Sequence, residues 1–184
     1  PKLKVRPEQG LLKLRKELGL FANLRPVKSY KEILSLSPIK QEIIDGVDML
    51  IIRELTGGLY FGDKKTNNNI STDICTYSVS EIERVTNVAI EYAKKRRNKI
   101  TLIDKANVLE TSRLWRKTVQ DISVKYPEIE LDYMFVDNAA MQIILNPKQF
   151  DVILTENLFG DIISDEASVI AVSYTHLTLP TRLP

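Results

Sequence analysis

Val47-Asp48-Met49-Leu50-Ile51-Ile52-Arg53-Glu54-Leu55 constrains the fold more than any other stretch of the chain. A strand with one wet face alternates apolar and polar residues, whereas this run is apolar at almost every position, so it predicts a strand covered on both faces. Gly57-Gly58 ends it. Cover on both faces requires a helix layer on each side of a sheet, and the rest of the sequence provides the elements. Residues 99–104, 129–136 and 150–154 are further apolar runs of strand type. Between these runs, Ile82, Val85, Ala89, Tyr92 and Ala93, then Leu114 and Val119, then residues 139–145 up to Pro147 recur at helical spacing. Ser80-Glu81-Ile82-Glu83 reads as the capping box of the first of these helices. Strand and helix alternate, which predicts an α/β fold with a largely parallel sheet flanked by helices.

Two stretches stand apart from this alternation. Residues 59–78 turn to Tyr, Phe, Thr and Asn around Asn67-Asn68-Asn69 and predict a protruding β-arm, an element that needs a partner to cover it. Residues 171–184 contain no continuation of the α/β pattern and read as a foreign tail. Near the start, Leu11, Leu12, Leu14 and Leu18 follow at helical spacing toward Gly19. Residues 21–26 then read as a strand ended by Pro26, before a polar connection carrying Pro38-Ile39-Lys40.

At 184 residues and 43% hydrophobic, the chain can bury one sizeable core, an argument for one domain or slightly more. A net charge of +2 exerts no general pull on nucleic acid. The one dense basic run, Lys94-Lys95-Arg96-Arg97, closes a helix, where cations complement the dipole and stay solvated. The sequence has no run of eighteen apolar residues and no signal-peptide pattern, so neither a membrane span nor an export address is expected. A lone Cys75 excludes an internal disulfide and suits a reducing cytoplasm.

The chemistry concentrates in Asn157-Leu158-Phe159-Gly160-Asp161-Ile162-Ile163-Ser164-Asp165-Glu166. Asp161 and Asp165 are four residues apart and share a helix face beyond the carboxyl end of a strand, where open α/β sheets bind ligands. Such carboxylates suit Mg²⁺ or Mn²⁺. Acids in a first helical turn also answer the helix dipole, and spacing alone does not separate the two readings. Tyr60, Lys105 and Asp137 each follow a strand and are candidates for proton transfer, against packing of the arm, a solvated loop lysine and a helix cap respectively. Arg15, Arg25 and Arg53 imply a polycarboxylate substrate if they converge, and are unrelated surface arginines if they do not. His176, the only histidine, lies in the anomalous tail, so a histidine triad or zinc cluster is not expected. No Gly-x-Gly-x-x-Gly or phosphate-loop motif follows a strand.

Several motifs together resemble the isocitrate/isopropylmalate dehydrogenase family, and within it the 3-isopropylmalate branch. They are Arg6-Pro7-Glu8-Gln9-Gly10-Leu11-Leu12, Leu24-Arg25-Pro26, Arg53-Glu54-Leu55-Thr56-Gly57-Gly58-Leu59-Tyr60-Phe61-Gly62, Asp104-Lys105-Ala106-Asn107-Val108 and the stretch from Asn157 to Asp165. The resemblance runs in unbroken order from residue 1 to about residue 170. It implies a cytoplasmic homodimer with shared active sites that oxidises 3-isopropylmalate with NAD and decarboxylates it to 4-methyl-2-oxopentanoate, in leucine biosynthesis. It also implies roles residue by residue. Arg15, Arg25 and Arg53 would hold the substrate carboxylates, and Leu11, Leu12 and Val108 would touch its isopropyl group. Glu8 and Asn107 would lie near the nicotinamide. Asp161, Asp165 and, from the partner subunit, Asp137 would hold Mg²⁺ or Mn²⁺. Lys105, also from the partner subunit, would take the hydroxyl proton, and Tyr60 would protonate the enol. In these terms residues 1–20 are a remnant of a first domain and residues 21–170 a second domain for dimerisation, substrate and metal. The family's loop for the adenosine end of NAD has no counterpart in this sequence, so the chain alone is expected to be inactive. Two alternatives remain: a relative acting on isocitrate, homoisocitrate or tartrate, and a truncated, non-catalytic dimerisation module.

Overall fold

The structure, a computed structural model, describes residues 7–171, without the side chains of residues 7–9 and 16. The expectations for Glu8, for His176 and for the tail beyond Ala171 therefore concern groups outside the described residues. In chain order the elements are α1 (Pro7–Glu17), β1 (Ala22–Lys28), α2 (Gln41–Ile44), β2 (Asp48–Glu54), β3 (Lys64–Asn67), β4 (Ile70–Asp73), α3 (Val79–Ala93), β5 (Lys99–Asp104), α4 (Glu110–Ser123), β6 (Glu130–Phe135), α5 (Val136–Leu145), β7 (Val152–Thr155) and α6 (Asn157–Ala171). Short 3₁₀ turns cover Lys31–Leu36, Gly58–Tyr60 and Pro147–Gln149. Five strands form one sheet in the order β1-β2-β7-β5-β6, parallel except for β1 at its edge.

The unbroken apolar run in β2 has the expected cause. Leu50 and Ile52 face a layer made by α3 and α4, in which Ile82, Val85, Ala89, Trp115 and Val119 are buried. Met49 and Ile51 face the opposite layer, made by α5 and α6 with Ala139, Ile143, Ile163, Ala167 and Ile170. Successive side chains of a strand point to opposite faces, so each residue of the run has a core to enter. This layering also fixes the crevice. The chain leaves β5 into α4 on one face and leaves the neighbouring β7 into α6 on the other, so the strand ends Asp104 and Thr155 open onto a topological switch point.

Five local expectations need correction. The capping box uses Ser78, not Ser80: the Ser78 hydroxyl accepts from the Glu81 backbone N–H, while the Glu81 carboxylate accepts from the Ser78 N–H. Pro26 does not end β1 but sits inside it opposite Leu50, which is tolerated because β1 is an edge strand. α5 begins at Val136, so Asp137 lies in its first turn and does not cap it. Arg96 is not simply solvated, since its guanidinium bonds Asp151 at 2.8 Å and Asp48 at 2.6 Å and ties the end of α3 to the amino ends of β2 and β7. Ala171 is not part of a foreign stretch but the last residue of α6, buried with Ile170 against the sheet.

The arm forms as expected. β3 and β4 pair as a two-stranded hairpin whose every residue is exposed, turning at Asn68 with φ of 48°. Among the described residues no helix is long and apolar enough to cross a membrane.

Candidate functional site

Arg53 is the centre of the site. It is the penultimate residue of β2, its side chain is buried, and its guanidinium is held along one edge by Asn157, whose Oδ1 accepts from Nε at 3.0 Å and Nη2 at 2.8 Å. Its remaining nitrogen, Nη1, pairs with Asp161. Burial pulls the Arg53 guanidinium below its ordinary range, and the Asp161 carboxylate opposes that pull. The sequence permits this arrangement only because residue 160 is glycine. A Cβ there would lie 2.6 Å from Cγ and 2.8 Å from Cβ of Arg53, so α6 crosses the arginine with no room for a methyl group.

Asp161 gathers the rest. Its second oxygen accepts the Tyr60 hydroxyl proton at 2.6 Å, and Arg25 Nη2 lies 3.8 Å from the first. Arg25 Nη1 reaches Ser164 Oγ at 2.6 Å and Asp165 at 2.9 Å, while its Nε donates to Asn23 at 2.8 Å. Burial first, then the bond to Asp161 and that carboxylate's charge, hold the Tyr60 phenol above its ordinary range, so it keeps its proton at neutral pH. Arg25 and Arg53 thus converge on the same Asp161 oxygen, while no hydrogen bond or ion pair among the described residues joins Arg15 to them. Arg15 lies on α1 four residues after Leu11 and three after Leu12, so the two leucines and the arginine share one helix face. A cleft of about 420 Å³ opens beside Arg25, lined also by Leu24, Val27, Ser164 and Ser168.

The helix-dipole reading of the acids fails. α6 starts at Asn157 and has no acid in its first turn; Asp161 and Asp165 come later and face arginines.

Lys105 and Asp137 form a second cluster. Lys105 follows β5, Asp137 begins α5, and Lys105 Nζ donates to Asp137 at 2.7 Å, which holds that carboxyl below its ordinary range. The loop is braced from behind by Asp104, which takes Nε and Nη2 of Arg116 at 2.8 Å each, with the guanidinium against Tyr133 and Phe135. Among the described residues no hydrogen bond or ion pair joins Lys105 or Asp137 to the Asp161 cluster, and no three His, Cys, Asp or Glu residues converge as a metal cage. Asn107 and Val108 are exposed in the turn after Lys105.

The residues nonetheless fit a divalent cation. Asp161 and Asp165 place hard oxygen donors one helical turn apart on a solvent-facing surface, and such ions commonly keep only one or two protein carboxylates per chain. For NAD the described residues offer only the exposed Asn107 turn and no dinucleotide cradle.

Sequence reasoning overlooked four contributors: Asn157, Ser164, Tyr77 and Glu156. Tyr77 stands beneath the Gly57-Gly58 turn, where a Cβ on Gly57 or Gly58 would come within 2.6 or 2.4 Å of it, and its hydroxyl accepts from the Asn157 N–H at 3.0 Å. Glu54 and Asp104 end β2 and β5, and Glu156 directly follows the end of β7, the strand between them. Glu54 is bound by the N–H groups of Thr56 and Gly57, and Asp104 by Arg116. Glu156 is buried, and its Oε2 has no hydrogen-bond partner among the described residues. Burial, then the charges of Asp104 and Glu54, push its carboxyl up to about 7. A polar residue just beyond a strand end was the available signal for Glu156 and Asn157, whereas Ser164 lies within α6 and Tyr77 in the loop before α3.

The sequence model of the isocitrate/isopropylmalate dehydrogenase family matches residues 1–178. A 3-isopropylmalate dehydrogenase of Bacteroides fragilis is 57% identical over 173 residues, covering 94% of this chain and 49% of that protein. One of Clostridium pasteurianum is also 57% identical, covering 91% of this chain and 48% of the other. A crystal structure of isocitrate dehydrogenase from Methylococcus capsulatus superposes with a TM-score of 0.81 at 33% identity, covering 92% of this chain and 50% of that one. The chain thus spans about half the length of the curated relatives it matches.

Proposed function

The chain belongs to the isocitrate/isopropylmalate dehydrogenase family, and from that premise we propose that it forms the substrate- and metal-binding part of a homodimeric enzyme of leucine biosynthesis. In this reading the enzyme oxidises 3-isopropylmalate with NAD and decarboxylates the product to 4-methyl-2-oxopentanoate in the cytoplasm. The observation that carries the reading is the convergence of Arg25 and Arg53 on Asp161, beside Asp165 and the Tyr60 phenol. A cluster with that much fixed positive charge selects a dicarboxylate. Leu11 and Leu12, on the helix face of Arg15, add an apolar patch suited to an isopropyl group and with nothing to offer the third carboxylate of isocitrate.

The residues divide the work as follows. Arg15, Arg25 and Arg53 bind the carboxylates, while Leu11, Leu12 and Val108 receive the alkyl group. Asp161 and Asp165, with Asp137 of the partner subunit, would hold Mg²⁺ or Mn²⁺, which when bound acts as a Lewis acid on the substrate oxygen. Lys105 of the partner subunit takes the hydroxyl proton; NAD would lie near Glu8 and Asn107 and would supply the hydride acceptor when bound. After the carbon–carbon bond to the departing carboxylate breaks, Tyr60 gives its proton to the enol. The separation of Lys105 and Asp137 from the Asp161 cluster supports sites shared between two subunits.

A mixed dimer of the full-length protein tests this. With Lys105→Ala in one subunit and Tyr60→Phe in the other, each homodimer lacks one group in both sites, but the mixed dimer has one intact site. Its activity on 3-isopropylmalate should recover to about half that of the wild type per dimer if the subunits act independently. A folded mixed dimer without recovery puts Lys105 and Tyr60 in the same site. A substrate panel in which isocitrate outperforms 3-isopropylmalate in kcat/KM moves the assignment to the other branch of the family.

A further inference from the structure

Asn157 ties Arg53 to the Gly57-Gly58 turn and to Tyr77. Its Oδ1 accepts both Nε and Nη2 of Arg53, its Nδ2 donates to the Gly57 carbonyl at 3.1 Å, and its backbone N–H donates to the Tyr77 hydroxyl. It is fully buried, and Arg53 lies beneath it with a side-chain exposure of 2%. A buried guanidinium in this position is usually clamped by a carboxylate, which fixes it but cancels its charge. Here the clamp is a neutral amide. Among the described residues the one anion paired with Arg53 is Asp161, which acts on Nη1, the remaining nitrogen, from a side chain that is 33% exposed. The same amide ties Arg53 to the Gly57-Gly58 turn, from which Tyr60 projects with its ring 5.5 Å from the guanidinium carbon.

We propose that Asn157 is a positioning residue that fixes the orientation of Arg53 through an uncharged acceptor, so that the buried guanidinium keeps its positive charge for a substrate carboxylate. The inference rests on the reading of the crevice as a dicarboxylate site. An amide is needed, not merely a residue of that shape: the isosteric acid would accept the same two Arg53 bonds, neutralise the charge and repel the Gly57 carbonyl. Any substitution that cannot accept would leave Nε and Nη2 of Arg53 without their partner and the guanidinium held by Asp161 alone.

The test uses the full-length protein with Asn157→Asp and Asn157→Ala. Dissociation constants for malate and 3-isopropylmalate are measured by calorimetry, KM and kcat by turnover, and folding by thermal melting. Asn157→Asp should weaken both dicarboxylates on the order of tenfold or more, the scale of losing one charge-assisted contact, with KM rising while kcat stays within about threefold. Asn157→Ala should weaken both ligands too, and it decides the matter if the aspartate variant does not fold. Wild-type affinity in a folded Asn157→Asp protein, or in Asn157→Ala when that variant must decide, overturns the proposal and leaves the reading of the crevice intact. A wild-type protein that binds neither dicarboxylate overturns the reading, and the proposal with it.

Discussion

Glu156 is one carboxyl whose protonation the fold controls strongly, because it is buried beside Asp104 and Glu54 without a cation of its own. Its value rises from 4.5 to about 7 on folding, so between those values the folded chain holds a proton that the unfolded chain has lost. The folded state binds more protons, and stability therefore falls as pH rises through that window. The loss approaches roughly 3 kcal/mol once the pH exceeds the folded value. Glu156→Gln should flatten that slope in urea denaturation followed from about pH 4 to about pH 8, and an unchanged slope would assign the pH dependence to another group. Legibility at this scale differs by residue type. Asp161, Asp165, Arg25 and Arg53 stood out in the sequence as acids one helical turn apart and as guanidinium groups on strands, although their roles came only from the family resemblance. Asn157 was not, because an Asn opening a helix is usually a cap and nothing in its identity announces that it accepts from Arg53 across the sheet.

Elements were more legible than their joints. Every strand and helix longer than four residues follows from apolar periodicity, since both faces of the sheet are covered. The boundaries that moved, at Ser78, Pro26 and Val136, are those where a side-chain bond or an edge position outweighs propensity. One close joint is that between α6 and β2. Gly160→Ala would bring a methyl group against Arg53 and Thr155, and neither can retreat because one is clamped by Asn157 and the other lies in the sheet. We expect a loss of about 1–3 kcal/mol in unfolding free energy, the usual cost of overpacking. Dicarboxylate affinity should fall further as Arg53 is displaced. A variant with wild-type melting temperature and affinity would show that α6 can lift away freely.

On the scale of the whole molecule, apolar surface remains where one chain has nothing to cover it. Met141 and Leu145 on α5 are 57% and 65% exposed, Ile162 and Val169 on α6 add to the same layer, and the β3-β4 arm carries Ile70 at 71%. A second copy of this face is the proposed cover, by analogy with other closed two-fold interfaces. Met141→Glu together with Leu145→Glu in the full-length protein should shift sedimentation from dimer to monomer, and activity should fall in parallel if sites are shared. A dimer that survives both charges would locate the interface elsewhere. The strand order has a different consequence, one of time. Among the described strands of this sheet β7 comes after all its partners in the chain yet occupies the centre, hydrogen-bonded to β2 on one side and β5 on the other. Until residue 155 has emerged, the β1-β2 and β5-β6 pairs are two half-sheets with raw inner edges, each able to accept a strand from another nascent chain. This sheet is thus most open to mispairing between the emergence of β6 and that of β7, and the segment that relieves this exposure is the one that delivers Asn157 and Asp161 to the crevice.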